Sequence, residues 1–84
     1  MDWQKVGEVA HYFDRIMVAA VELEDNLQVG DWIGFVSHGE LLFEQEVTSM
    51  QIEHDDIDIA YAGDNIGLKV NDQVKDGTEV YKVV

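Results

Sequence analysis

The residues with the most evident chemistry stand close together. His54, Asp55, Asp56 and Asp58 place one imidazole and three carboxylates within five positions, donors enough to hold a divalent cation. Their spacing does not serve one. It lacks the D-x-D-x-D-G frame with a distal Glu of a calcium loop, and it lacks the paired imidazoles of H-E-x-x-H. The run therefore reads as a solvated acidic bend, and no metal is expected. The other histidines, His11 and His38, have no Cys beside them. Ser37 and Ser49 supply hydroxyls, but a catalytic Ser and His are normally assembled from distant positions. Ser37 adjoins His38, and no G-x-S-x-G elbow surrounds either serine. The phosphate-cradling G-x-x-x-x-G-K-[ST] is absent as well. The expectation is a protein that is not an enzyme, has no catalytic residues, and takes neither nucleotide nor cofactor.

Tyr12, Phe13 and Trp32, with Arg15 nearby, could form an aromatic and basic surface for stacking bases, as on other small barrels. Such platforms sit in basic grooves, whereas the cations here, Lys5, Arg15, Lys69, Lys75 and Lys82, are scattered along the chain. Packing in the core or at a subunit interface is the stronger reading of the aromatics.

The elements that would position these residues are strands. Ile66, Leu68 and Val70 alternate with Asn65, Gly67 and Lys69, the signature of a half-buried strand, and Gly63, Asp64 and Asn65 supply the turn before it. Residues 5–13 place Val9, His11 and Phe13 on one face, with Val6, Glu8, Ala10 and Tyr12 on the other. Residues 16–24 carry Met17, Ala19, Val21 and Leu23 opposite Ile16, Val18, Ala20, Glu22 and Glu24, so that their first part is apolar on both sides and reads as buried on both. A helix capped by Asp14 is the rival reading of that segment, because Ala19, Ala20 and Leu23 also fit a 3.6-residue period.

Breaks at Asp25 with Asn26, Gly30 with Asp31, and residues 38–40 bracket a strand over residues 32–37. Phe43, Gln45 and Val47 face inward, yet farther on Met50 and Ile52 do, so the parity changes and a bulge or bend is expected at Thr48 and Ser49. Ile57, Ile59 and Tyr61 then alternate with Asp56, Asp58 and Ala60, and a last hairpin turns at Asp76 and Gly77. Breaks at roughly ten-residue intervals predict an all-β fold, a small closed or nearly closed antiparallel barrel of about six strands. Residues 1–84 form one domain in this reading, with no linker or internal repeat.

The runs S-M-Q-I-E-H and A-G-D-N-I-G-L-K-V resemble the second half of the β-barrel domain that follows the GTPase domain in translation elongation factors such as elongation factor Tu. V-G-E-V near the start, L-Q-V-G-D, and V-K-D-G-T-E-V at the end extend the likeness over residues 5–84. In those factors the barrel packs on the GTPase domain and helps to hold the acceptor end of aminoacyl-tRNA. The resemblance implies that a binding site would fall near Gln51, Glu53, His54, Asp64 and Asn65. This chain departs from the family where an Arg- and Gly-rich segment is replaced by H-Y-F-D-R-I-M, and Asp64 and Asn65 read more simply as turn residues.

Charge bounds the partners. Eighteen acidic against five basic residues give a net charge of -13, which repels nucleic acid and anionic membranes. RNA or the ribosome is thus disfavoured, and DNA and membrane are not expected. Acidity of this kind also serves solubility or life at high salt. The 46% hydrophobic content suits a folded core, the lack of Cys fits a reducing cytoplasmic setting, and Met1, Asp2 and Trp3 do not open a secretory signal. The sequence thus points to a stand-alone translation-factor-like barrel that binds protein or RNA. The alternative is an accessory protein that docks on a separate enzyme through its acidic surface.

Overall fold

Period-two patterning wins over the helical rival in residues 16–24, and the rest of the chain is strand and turn as well. The computed structural model describes residues 2–84, and among them no helix forms. Ten strands follow one another: β1 (Trp3–Phe13), β2 (Val18–Leu23), β3 (Leu27–Gln28), β4 (Trp32–Ser37), β5 (Glu40–Glu46), β6 (Met50–Ile52), β7 (Asp55–Ile57), β8 (Ile59–Ala60), β9 (Asn65–Lys69) and β10 (Glu79–Val83). Eight make one antiparallel sheet in the order β5-β4-β10-β1-β2-β9-β6-β7, and β3 pairs with β8. Among the described residues no helix is long and apolar enough to cross a membrane.

The expected closed barrel of about six strands is corrected to this open sheet. β5 and β7 are its two edges and exchange no ladder with each other. The chain loses strand geometry at residues 47–49, at the parity change expected there, and both Val47 and Met50 are buried. Instead of a ladder, one side chain bridges from β5 to the last residue of β9 and the chain just after it. Gln45, almost fully buried, donates from Nε2 to the Lys69 carbonyl at 2.9 Å, and its Oε1 accepts from the Asn71 amide at 2.7 Å. The sheet still curls round one core: Phe43 of β5 and Ile57 of β7 pack against the same cluster as Phe35, Ile33, Leu27, Met50 and Leu68.

Two irregularities in β1 explain a second correction. Register shifts lie between Lys5 and Gly7 against β10, and between Val9 and His11 against β2. Each extra residue moves later side chains to the other face. Val6 and Val9 are buried while His11 and Phe13 lie outside. Gly7 sits where β1 and β2 approach closely; a Cβ there would stand 2.5 Å from the Glu22 carbonyl oxygen. Farther on, Ala60 is the buried residue and Ile59 and Tyr61 are exposed, because β7 and β8 belong to different sheets. The turn at Asp76 and Gly77 does not make a hairpin, since β10 pairs with β1 and β4. Ile66, Leu68 and Val70 are buried as their alternation predicts, and Ile52 is half-buried.

Candidate functional site

The β6–β7 hairpin places the chemically distinctive residues. Ile52 pairs with Asp55, so the loop is the two residues Glu53 and His54, at φ of 50° and 69°. Positive φ at both positions is the type I′ turn, whose twist matches a hairpin but which ordinarily takes Asn-Gly. Here two bulky side chains hold left-handed backbone that costs each on the order of 1–2 kcal/mol.

Beside this turn the outer face of β2, β9 and β6 forms an open groove of about 380 Å³. One wall is apolar, made of Phe13, Ile16, Val18 and Ala20. The other is polar, with Gln51, Glu53, His54 and Asn65, and Gly67 lies between them. A Cβ on Gly67 would meet the Val18 side chain at 3.3 Å, so the glycine keeps that floor low. Gln51 is held by its Nε2 donating to Asp56 at 2.9 Å. The Lys69 ammonium donates to the Ile16 carbonyl at 2.8 Å and fastens the β1–β2 turn at the end of the apolar wall.

The structure thus gathers Gln51, Glu53, His54 and Asn65, and adds Phe13, which the sequence assigned to a different surface. Asp64 is apart from them. Its carboxylate accepts from the Tyr61 amide at 2.8 Å, and its backbone carbonyl accepts from the Leu23 amide at 2.9 Å, which is turn architecture. Phe13 packs edge-on against His11 with ring centroids 4.6 Å apart. Tyr12, the next residue along, is half-buried against the core, and with Phe13 and exposed Arg15 it lines only a shallow hollow at the β1–β2 turn. Trp32 belongs to β4, separated from β1 by β10. Sequence reading missed Ile16, Val18, Ala20 and Gly67 as groove residues. For Ile16, Val18 and Ala20 the signal was the run that is apolar on both sides, whose second side lines this groove instead of a core; for Gly67 it was a glycine on the polar face of the alternating strand.

Reacting groups do not assemble in the same way. Ser37 Oγ and His38 Nδ1 lie 3.3 Å apart as neighbours at the exposed β4–β5 turn. Among the described residues no three His, Asp or Glu side chains gather as a metal site requires. The Lys5 ammonium meets Glu79 at 3.1 Å, Glu8 at 3.7 Å and Glu24 at 3.9 Å. The hydrogen bond to Glu79 is the main reason that its pKa lies above the ordinary 10.5; desolvation opposes the rise, and the fields of Glu24, Glu79 and Glu8 add to it. The Lys82 ammonium donates to the Asn26 carbonyl. Lys5, Lys69 and Lys82 are therefore tied in separate places and form no common basic patch.

No family model matches the chain. An uncharacterized protease of Methanocaldococcus jannaschii is 36% identical over 77 residues, a match that covers 92% of this chain and 19% of that protein. The chain therefore spans about a fifth of the length of this relative. Among solved structures, the C-terminal domain of a Geobacillus thermoleovorans protein named as a U32 peptidase superposes with a TM-score of 0.85 at 20% identity, covering 94% of this chain and 91% of that one. Its selenomethionine variant gives 0.84 at 19% identity, with coverages of 92% and 96%. These likenesses overturn the resemblance to translation factors and the translation function that rested on it. The shared residues were glycine and Asp turns ahead of short apolar strands, which backbone geometry favours in any small antiparallel domain, so they carried fold information and no function.

Proposed function

We propose that this chain is a non-catalytic accessory β domain of the kind carried by U32-peptidase-like proteins, one that acts by binding while another polypeptide region performs the chemistry. The observation that carries this reading is the match itself: 36% identity across nearly the whole chain to a fifth of a protease-like protein. The fold agrees, since its counterpart is the C-terminal domain of a protein named as a peptidase. The local chemistry agrees too. The groove offers a apolar wall facing amide, carboxylate and imidazole groups, an arrangement suited to holding an extended polypeptide segment.

The test uses the archaeal relative. Its matched segment is deleted in one variant and replaced by this chain in another, and hydrolysis of a quenched fluorescent peptide library is measured together with thermal stability. The graft is expected to recover what the deletion loses. A graft indistinguishable from the deletion, or hydrolysis of the library by this chain alone, would overturn the reading.

A further inference from the structure

The opposite end of the sheet carries a second surface. On the outer face of β1, β10, β4 and β5, cross-strand register sets Lys5, Tyr81, Gly34 and Glu44 in one row, and Glu79, Val36 and Leu41 in the next. The indole of Trp3 and the Leu41 side chain converge over Gly34; a Cβ on that glycine would lie 2.9 Å from Leu41 Cδ1 and 3.1 Å from the Trp3 ring. The result is a hollow of about 310 Å³ lined by Trp3, Val36, Gly39, Leu41, Glu79 and Tyr81. Trp3 remains 41% and Leu41 48% exposed, so an aromatic and aliphatic surface is left in water on a small domain.

Charge says what covers it. Glu79 lines the hollow, Glu40 and Glu44 stand on the adjoining edge strand, and the nearest cation, Lys5, is already held among three glutamates. A second copy would bring another net -13 against this rim, which disfavours self-association. We infer that the hollow receives an arginine-bearing basic segment of another polypeptide, with its guanidinium against the Trp3 and Tyr81 rings and beside the Glu79 carboxylate, which it would share with the Lys5 ammonium at 3.1 Å and the Tyr81 hydroxyl at 3.5 Å. Arginine suits the site better than lysine, because its planar, weakly hydrated cation stacks on aromatic faces such as those of Trp3 and Tyr81. The accessory-domain reading bears only on which protein carries that segment, since binding is measured on this chain alone.

Trp32→Phe leaves Trp3 as the sole tryptophan, and its fluorescence is titrated with an acetylated, amidated Arg-Leu-Arg-Leu-Arg peptide, its Lys counterpart and its Glu counterpart. The Arg peptide is expected to shift the Trp3 signal to saturation, at least about tenfold more tightly than the Lys peptide, with no response to the Glu peptide. Leu41→Ser and Glu79→Gln, checked for unchanged melting behaviour, should each weaken binding about fivefold or more, while Phe13→Ser in the other groove leaves it unchanged. Backbone amide shifts should map the contact to β1, β4, β5 and β10 should either variant melt early. Equal binding of Arg and Lys peptides with no effect of Leu41→Ser would reduce the surface to diffuse charge attraction and overturn the inference. So would the absence of any response at millimolar peptide, or dimerisation in sedimentation equilibrium that Leu41→Ser abolishes.

Discussion

Lys5 is the cation on which three carboxylates depend. Glu8 lies on β1 with it, Glu24 follows β2, and Glu79 opens β10, so the ammonium offsets repulsion where three stretches of chain meet. An exposed pair on its own contributes little; the consequence of losing this one lies in the like charges left behind. Lys5→Gln should lower the melting temperature by a few degrees at low ionic strength, and the deficit should shrink in 1 M NaCl, where the Debye length is about 3 Å. Equal deficits at both salt concentrations, read by circular dichroism, would contradict this. The pH dependence has a definite sign. A pKa raised on folding means that the contribution is complete below the unfolded value near 10.5 and disappears as pH rises through the higher folded value. Wild type should therefore lose its advantage over Lys5→Gln only in strongly alkaline solution. Glu53 and His54 pose the reverse case, for their left-handed backbone is a cost carried at the rim of the groove. Replacing them with Asn and Gly should stabilise the protein by about 1–2 kcal/mol, and a lower melting temperature for that variant would show that their side chains hold the hairpin in place.

Gln45 and Gly7 decide how the strands meet. Gln45→Ala leaves the Lys69 carbonyl and the Asn71 amide without the partner that now joins β5 to the end of β9 and the chain after it. Two part-buried polar groups left without this partner, and the cavity where the almost fully buried Gln45 side chain stood, should cost about 2 kcal/mol, and amide exchange should quicken first at residues 69–71; a loss below about 0.5 kcal/mol would mean that water replaces the side chain without penalty. Gly7→Ala forces a methyl towards the Glu22 carbonyl, which the backbone can relieve only by parting β1 from β2, and about 3 kcal/mol of destabilisation in denaturant titrations is expected. These elements also mark how much the sequence revealed. The strand holding Ile66 and Leu68 and that of residues 32–37 were legible because alternation and turn residues agreed, and the break after Val47 was legible because parity changed there; residues 18–23 fitted a helix as well as a strand, and their own pattern did not decide. The β1 bulges were not, since an inserted residue leaves no compositional trace when both neighbours of a face are of mixed polarity. Closure was over-read, because turns at regular intervals mark out short strands but do not show whether the two edges of their sheet, here β5 and β7, pair with each other. At the groove, Gln51, Glu53, His54 and Asn65 were named only through the resemblance to translation factors, which the comparisons overturn, while the apolar wall was taken for core: exposure of a two-sided apolar run depends on what the fold fails to lay over it.

For the molecule as a whole, charge and size set the terms of stability. A chain of 84 residues confines a net charge of -13 within a radius of gyration of 11.2 Å, whereas the unfolded chain would spread it over roughly 28 Å. Compaction thus raises the electrostatic self-energy, and three of the five cations are already committed to local carboxylates or carbonyls. For a uniformly charged sphere in water, the folded state's excess repulsion is on the order of 5 kcal/mol at a Debye length of ~8 Å and about half that at ~3 Å. Raising NaCl from physiological ionic strength to 1 M should accordingly add about 2–3 kcal/mol, a rise of roughly 10 °C or more in the melting temperature of so small a domain. Chloride is the salt to use, because sulfate and phosphate strengthen burial in any protein by exclusion from its surface. The same experiment on a variant with Asp55, Asp56 and Asp58 replaced by Asn separates the causes. The β6–β7 hairpin and its exit carry these three carboxylates on exposed positions, so neutralising them should raise the melting temperature at low salt and flatten the salt response. A salt response as steep in that variant as in wild type would locate the effect in hydration of the core, and not in the charge this fold compresses.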